Sequence, residues 1–420
     1  MTRIQDNSKQ ALCKPTRYVY FLYWLIVVIS GLIFPQNVTA QESVHYVITK
    51  LSPLPGDDVC CVCDINNAGQ MAGVSWNSQA NTRHAVLWNS NGAVQSLDAL
   101  PNATANFALA INGQGNMVGF SDCLETIDSQ LTNTIHAFFY DSAGMHEIVS
   151  MFSGEIYDSQ AVGINNRGQI IGYIWPVSDS ASASSGIAFL LQSSTLTEIG
   201  NTNISLIDVN DSGQVIGSNS NGPFLWQNGA ITNLSVDAVY RINNQSQIVG
   251  AKYYDVIHFP RDWGYHAILY SNGTVYDLGQ LGQIPGILPG ENTYAFSVNN
   301  LGQVVGGTGN SVMEGASGNL QNSPLFNALN GLGLDSGEAW LWQNGVMTDL
   351  SNLFPTDWIL SEAVGINDKG QIIGNGFSRQ NGTYAQAAFL LTSLVGIATT
   401  PTLGQSLNPS PIHAPGLPHP

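Results

Sequence analysis

Apolar and polar positions alternate along this chain in short bursts, and the bursts recur. One nine-residue pattern occurs seven times: Ile65–Gly73 (INNAGQMAG), Ile111–Gly119 (INGQGNMVG), Ile164–Gly172 (INNRGQIIG), Val209–Gly217 (VNDSGQVIG), Ile242–Gly250 (INNQSQIVG), Val298–Gly306 (VNNLGQVVG) and Ile366–Gly374 (INDKGQIIG). A second apolar run follows each copy: HAVLW, HAFFY, IAFLL, PFLW, HAILY, AWLW and AAFLL. Most units then carry a turn and a short alternating run, such as NGAVQSL at 91–97 and NGVMTDL at 344–350. Each unit therefore predicts four short strands, A to D. Self-similarity at this period marks a repeat architecture.

The local chemistry supports that division. Strand A ends at Ile/Val-Asn, and the turn that follows puts Gly where a hairpin with a bulge needs positive φ. Gly69, Gly115, Gly168, Gly213, Gly302 and Gly370 fill this position, and Ser246 departs from it. The second apolar run, strand C, has too little polar alternation for a surface strand and predicts burial on both faces. Asn-Gly then supplies the next hairpin turn.

Four antiparallel strands at this spacing match a propeller blade. The expected fold is all-β: a seven-bladed β-propeller of four-stranded antiparallel blades. The last unit stops after strand C, whereas Val47–Leu54 aligns with the strand D sequence Val346–Leu353. The N-terminal strand is thus expected to pair in the last blade, Val47–Leu51 against Ala388–Leu391, closing the ring without a free edge. A linear solenoid would leave the missing last strand and the spare first one unexplained.

The Ile-Asn-Asn-x-Gly-Gln-Ile-Val-Gly and His-Ala-Phe-Leu-Trp motifs resemble those of the HAF-repeat family of extracellular bacterial proteins. The resemblance spans about residues 44–392. It implies export and a propeller-like β fold, and it carries no common activity. Units three, four, six and seven lack the His of the name-giving triplet.

The flanks add a compartment. Residues 1–17 carry four bases, residues 18–34 are apolar, and Val38-Thr39-Ala40 gives a small-x-small pattern. Residues 1–40 read as a signal peptide, with an uncleaved anchor as the rival, so a membrane partner is expected only if the leader is retained. The domain is expected at 44–392. The Pro/Ser/Thr-rich stretch 393–420 is expected to be a disordered tail. The protein is then secreted or held in the cell envelope. Cys60, Cys61, Cys63 and Cys123 read as buried small apolar residues, with a bond from Cys61 or Cys63 to Cys123 as the alternative in an oxidising compartment.

Charge narrows the partners. Only 10% of the 420 residues are charged, and the net charge is −17. Without residues 1–40 the balance is 28 acids against 8 bases, or −20. Such a surface repels phosphate backbones, so no nucleic-acid partner is expected. There is no G-x-S-x-G, H-E-x-x-H, P-loop or EF-hand signature. No cofactor or metal is expected, and enzymatic activity is the less favoured reading. His84, His136 and His266 share one repeat position, which points to packing.

In a blade, the A–B and C–D turns lie on one side and the B–C and D–A connections on the other. The first set is tight and repetitive. The B–C connections vary, from 218–222 to 120–135, 251–265 and 307–337. Unequal loops on one side of a rigid scaffold are where binding resides. Segment 251–265 is the richest, with Tyr254, His258 and Trp263 as candidate contacts alongside Tyr253, Phe259, Arg261, Asp262 and Tyr265. Acids at the entries of strand A (Asp58, Asp158, Asp237, Glu291 and Glu362) are expected to ring the channel mouth. The function expected is a monomeric, non-enzymatic scaffold that binds an extracellular glycan or protein. The alternative is a glycan hydrolase or lyase, which needs two of these carboxylates about 5–10 Å apart.

Overall fold

The computed structural model describes residues 45–127, 129–148, 157–177, 186–201, 203–256, 262–282, 291–309, 337–354 and 356–394. The predicted leader and residues 395–420 lie outside the described residues.

Twenty-eight strands occupy the described chain, with one 3-10 turn at Ser351–Leu353. β1 (Tyr46–Leu51) precedes the first repeat. Unit one holds β2 (Val59–Ile65), β3 (Met71–Asn77), β4 (Thr82–Trp88) and β5 (Val94–Ser96). Unit two holds β6 (Ala103–Ile111), β7 (Met117–Ile127), β8 (Gln130–Asp141) and β9 (Gly144–Glu147). Unit three holds β10 (Tyr157–Ile164), β11 (Gln169–Pro176), β12 (Ile187–Gln192) and β13 (Thr195–Asn201). Unit four holds β14 (Ser205–Val209), β15 (Val215–Asn219), β16 (Gly222–Gln227) and β17 (Ala230–Asn233). Unit five holds β18 (Ala238–Ile242), β19 (Ile248–Val256), β20 (Asp262–Ser271) and β21 (Thr274–Gly279). Unit six holds β22 (Thr293–Val298), β23 (Val304–Thr308), β24 (Ala339–Gln343) and β25 (Val346–Asp349). Unit seven holds β26 (Trp358–Ile366), β27 (Ile372–Gln380) and β28 (Thr383–Ser393).

Within each unit the strands pair antiparallel in chain order. Single bridges at Arg83–Ala105 and Gly307–Glu362 link two neighbouring pairs of units. β1 pairs antiparallel with β28, Val47 opposite Thr392 and Leu51 opposite Ala388. This is a β-propeller architecture, and the strands match the four-part reading of the repeat. β28 runs one residue past the expected domain end, to Ser393, and Leu394 N–H donates to the His45 carbonyl at 2.8 Å.

The turns are built as their residues demand. Gly168 has φ +72°. Ser246 takes φ +60° without being glycine, and its hydroxyl donates to Gln214 Oε1 at 2.6 Å. The Asn-Gly pairs 228–229, 272–273 and 344–345 have positive φ at both residues, the geometry that matches the strand twist in two-residue hairpins. A different constraint fixes the Gly that ends strand B. A Cβ on Gly306 would lie 1.9 Å from the Tyr294 carbonyl and 2.5 Å from the Trp340 ring. The strand C aromatic thus packs over bare backbone.

The Asn that follows strand A joins the units. In unit three, Asn165 Oδ1 accepts from Arg167 N–H at 3.0 Å and Gln169 N–H at 2.9 Å. Its amide donates to Gln169 Oε1 and to the Asn210 carbonyl of the next unit, both at 2.7 Å. The inter-unit bond recurs from Asn66 to Asn112, Asn112 to Asn165, Asn210 to Asn243, Asn243 to Asn299 and Asn299 to Asn367. Asn367 then donates to the carbonyl of Asn66 at 3.0 Å. All seven are buried.

Two substitutions test this reading. Asn165→Asp keeps the acceptor and removes both donors, and is expected to cost about 2–4 kcal/mol because a buried carboxylate then faces two oxygens. Gly168→Val is expected to cost about 1–3 kcal/mol through φ alone, since a Cβ there meets nothing within 4 Å. Chemical denaturation measures both. An Asn165→Asp loss below about 1 kcal/mol would show the inter-unit bond to be incidental.

Candidate binding face

The side carrying the Asn turns is chemically closed. Beside the inner Asn bonds runs a second set from the residue after each Asn. Asn166 N–H donates to Asp211 Oδ1 at 2.8 Å, Asp211 N–H to Asn244 Oδ1 at 2.9 Å and Asn244 N–H to Asn300 Oδ1 at 3.0 Å. Asn300 N–H donates to Asp368 Oδ1 at 2.7 Å, and Asp368 N–H to Asn67 Oδ1 at 2.9 Å. These polar groups are committed to one another.

The opposite ends of the sheets differ from expectation. Segments 120–135 and 251–265 were expected as loops, yet most of their residues extend the ladders. β7 and β8 stay paired to Ile127–Gln130, and β19 and β20 to Val256–Asp262. β27 and β28 likewise pair to Gln380–Thr383. Along this hairpin Ser121, Cys123 and Thr134 are buried near its base, whereas Leu131 at its tip is exposed. Of 307–337, residues 307–309 and 337 are described: Gly307 and Thr308 end β23.

The aromatic candidates divide. Tyr253 is 45% exposed, and its ring centre lies 5.1 Å from that of Tyr265. Tyr254 points to the other face of β19, 4.6 Å from the His266 ring, with its hydroxyl buried and the Lys252 ammonium 5.9 Å from its ring centre. His258 and the side chain of Trp263 lie outside the described residues.

The strand-entry acids divide between exposed and buried positions. Asp58 is exposed, and hydrogen bonds from Ser78 hold its carboxyl below the usual range. Asp237 accepts from Tyr253 N–H at 2.6 Å. Glu291 is exposed. Asp158 lies within β10, half-buried, and accepts from Ile135 N–H of unit two at 2.7 Å. Burial pushes its pKa up, against that hydrogen bond. Glu362 lies inside β26, only 8% exposed, and accepts from Asn375 Nδ2 at 3.1 Å. Burial raises its pKa to about 7. Asp158 stands at the entry of its strand A as expected, whereas Glu362 is held inside the sheet because β26 begins four residues before it, at Trp358.

The sequence reading missed the centre. Arg241 of unit five lies 3.0 Å from Asp64 of unit one and 3.8 Å from Asp208 of unit four. The two acids also accept the Ile111 and Ile242 N–H groups of adjoining units, at 3.0 and 2.9 Å. Burial raises Asp208 to about 6 even though Arg241 opposes it. The signal available in sequence was the position before Ile/Val-Asn, which holds Asp64, Ala110, Gly163, Asp208, Arg241, Ser297 and Gly365.

Two of the repeated histidines pack inside their units: His136 lies 2.8 Å from Glu147, and His266 lies 2.9 Å from Asp277, whereas His84 is partly exposed and lies 3.1 Å from Asp57. The Glu147 hydrogen bond raises the His136 pKa. Cys60, Cys61, Cys63 and Cys123 are buried thiols, and Cys123 packs in a different cluster from Cys61 and Cys63.

These shifts set a pH dependence. Glu362 and Asp208 have folded pKa values above their unfolded ones, so their favourable contribution is complete below about pH 4 and fades as pH rises to about 7. His136, also raised, loses its contribution as pH rises through its folded value. Thermal stability is expected to fall from pH 5 to pH 8. Glu362→Gln is expected to match the parent at pH 4 and exceed it by about 3 kcal/mol at pH 8. Equal pH slopes in parent and variant would contradict this reading of Glu362.

No family model and no curated protein matches the chain. Among solved structures, it is similar to the β-propeller domain of the trilobed protease from Pyrococcus furiosus, at 9% identity and TM-score 0.46, over 83% of this chain and 99% of that one. It is similar to Pyrococcus horikoshii acylaminoacyl peptidase at 11% identity and TM-score 0.43, over 79% of this chain and 51% of that one. It is also similar to Trypanosoma rangeli sialidase at 8% identity and TM-score 0.31, over 80% of this chain and 54% of that one. The chain thus spans about half the length of the latter two proteins.

Proposed function

We propose that this chain is an exported, non-enzymatic scaffold of the HAF-repeat type, a seven-bladed ring that binds an extracellular ligand through its hairpin side. The closed ring is supported by the bond from Asn367 back to Asn66 and by β1 as the fourth strand of unit seven. Export rests on the basic and apolar leader at 1–40.

The asymmetry of the two sides carries the binding reading. Backbone and side-chain polar groups of the Asn turns satisfy each other from unit to unit. The hairpins differ in length from unit to unit and expose Leu131, Tyr253 and Tyr384 at 70%, 45% and 44%. Exposed apolar and aromatic tips on rigid ladders suit recognition. Glu291, the Tyr254 hairpin and the stretch with His258 and Trp263 are the proposed contacts retained from the sequence. Asp158 and Glu362 act as internal supports instead. Asp58, Asp158, Asp237 and Glu362 each take a different hydrogen-bond partner, and a glycan hydrolase or lyase stays the alternative reading.

The test is a screen of the purified protein against glycan and protein arrays, followed by titration of variants. Removing the β7–β8 tip (residues 126–131) or changing Tyr253 and Tyr384 to Ala is expected to weaken a captured partner about tenfold. Arg167→Glu and Lys369→Glu, on the turn side, are expected to change affinity less than about twofold. A partner that responds to Arg167 or Lys369 and ignores every hairpin change would place the working side opposite to that proposed.

A further inference from the structure

The β7–β8 hairpin ends in a ribbon that outruns the strands on either side of it. β6 accompanies β7 as far as the pair of Ala103 with Cys123, and Leu124 N–H reaches the Asn102 carbonyl at 3.1 Å. β9 leaves β8 after the pair of Glu147 with Phe138, and Ile148 N–H closes on the Ala137 carbonyl at 2.9 Å. Beyond these points Glu125 with Thr132, Thr126 with Leu131 and Ile127 with Gln130 pair only with each other among the described residues. A two-stranded ribbon by itself is marginally stable in water, so its order rests on what else ties it down.

A histidine stands at the base of the ribbon. His136 is buried in β8, and its two ring nitrogens face carboxylates from two other strands. Nδ1 lies 2.8 Å from Glu147 Oε1 of β9, and Nε2 lies 3.6 Å from Glu125 Oε1 of β7. Nε2 also lies 2.8 Å from Thr134 Oγ1. The third carboxylate whose charge the ring feels is Asp158 of β10, in unit three, which holds Ile135 N–H at 2.7 Å. An imidazolium donates from both nitrogens, whereas a neutral imidazole has one N–H and one lone pair. The shorter contact to Glu147 keeps the remaining hydrogen on Nδ1. The lone pair left on Nε2 accepts the Thr134 hydroxyl and offers nothing to Glu125, and three carboxylates then surround an uncharged ring.

We propose that His136 is a pH-sensitive clamp on the β7–β8 ribbon: its imidazolium holds Glu125 and orders the strands beyond it, and loss of the proton releases them. The Glu147 hydrogen bond, with the charges of Glu147, Glu125 and Asp158, raises the His136 pKa against the burial that lowers it. A histidine raised in this way contributes fully below its unfolded value, about 6.5, and loses that contribution as pH rises through its folded value. The ribbon is therefore ordered in mildly acidic surroundings and frays in alkaline ones. The clamp itself needs no ligand, and its consequence, a binding side that tightens as pH falls, rests on the hairpin-side reading above.

The experiment follows amide hydrogen exchange in the purified protein from about pH 5.5 to about pH 9, each rate divided by that of an unstructured peptide at the same pH. Protection of Glu125–Ile127 and Gln130–Thr132 is expected to fall about tenfold across this range. The β27–β28 ribbon, whose pairs from Ser378 with Ala385 to Gln380 with Thr383 contain no histidine, is expected to change less than about twofold. Glu125→Gln sits at a partly exposed position and can donate or accept, so it is expected to stay folded and to lose the pH step. Asp158→Asn is expected to keep the step. A flat profile in the parent, an equal fall in the β27–β28 ribbon, a full fall persisting in Glu125→Gln, or loss of the step in Asp158→Asn alone would overturn the clamp. A partner that responds to Arg167 or Lys369 and ignores the hairpins would defeat the hairpin-side reading and leave the clamp standing.

Discussion

Each repeat unit depends on one buried Asn side chain that bonds in two directions. Its carbonyl holds the turn's own N–H groups, and one amide hydrogen reaches the backbone of the next unit. A four-stranded sheet cannot by itself specify where its neighbour sits, because apolar faces slide. A directional bond to a buried carbonyl can, since misplacing it leaves a donor and an acceptor unsatisfied. The Asn therefore sets the spacing between units while packing supplies most of the attraction.

That constraint explains why the two sides of the molecule diverge. On the turn side, every unit presents the same Asn and a residue at positive φ, and all but unit two, which has Gly113, follow the Asn with Asn or Asp. Ser246 keeps the left-handed backbone at the one copy without Gly. On the hairpin side the bonds between successive units, such as Ile135 N–H to Asp158 and Tyr265 N–H to Asn292, differ from unit to unit, and so do the hairpin lengths. Ladders there lengthen by pairs of residues without disturbing the core, as β7–β8 and β27–β28 do.

The centre shows the same logic at the free inner edge of strand A. Each innermost strand carries a register shift just before its Ile/Val-Asn, for example between Val62 and Asp64, Leu206 and Asp208, and Val239 and Arg241. The shift turns successive residues in new directions. Asp64 and Asp208 use it to occupy N–H groups of adjoining strands, and Arg241 balances both acids. Small residues in the same position elsewhere, such as Ala110 and Gly163, leave room for this arrangement.

The sequence by itself determined the strands, the turns and the pairing of β1 with β28, because these follow from local periodicity and from residues with narrow backbone preferences. Asn-Gly, Gly168 and the unbroken apolar run of strand C each state their conformation without reference to distant residues. What the same local pattern could not reveal was destination. Glu362 and Asp158 looked like strand-entry acids, and only the neighbouring strands decided that Glu362 would be buried against Asn375 and that Asp158 would accept from Ile135 N–H. Arg241 meets Asp64 across 177 positions of chain, a distance over which periodicity carries no information. Burial, partner and pKa are properties of surroundings assembled from several units, so the tertiary structure alone decided them.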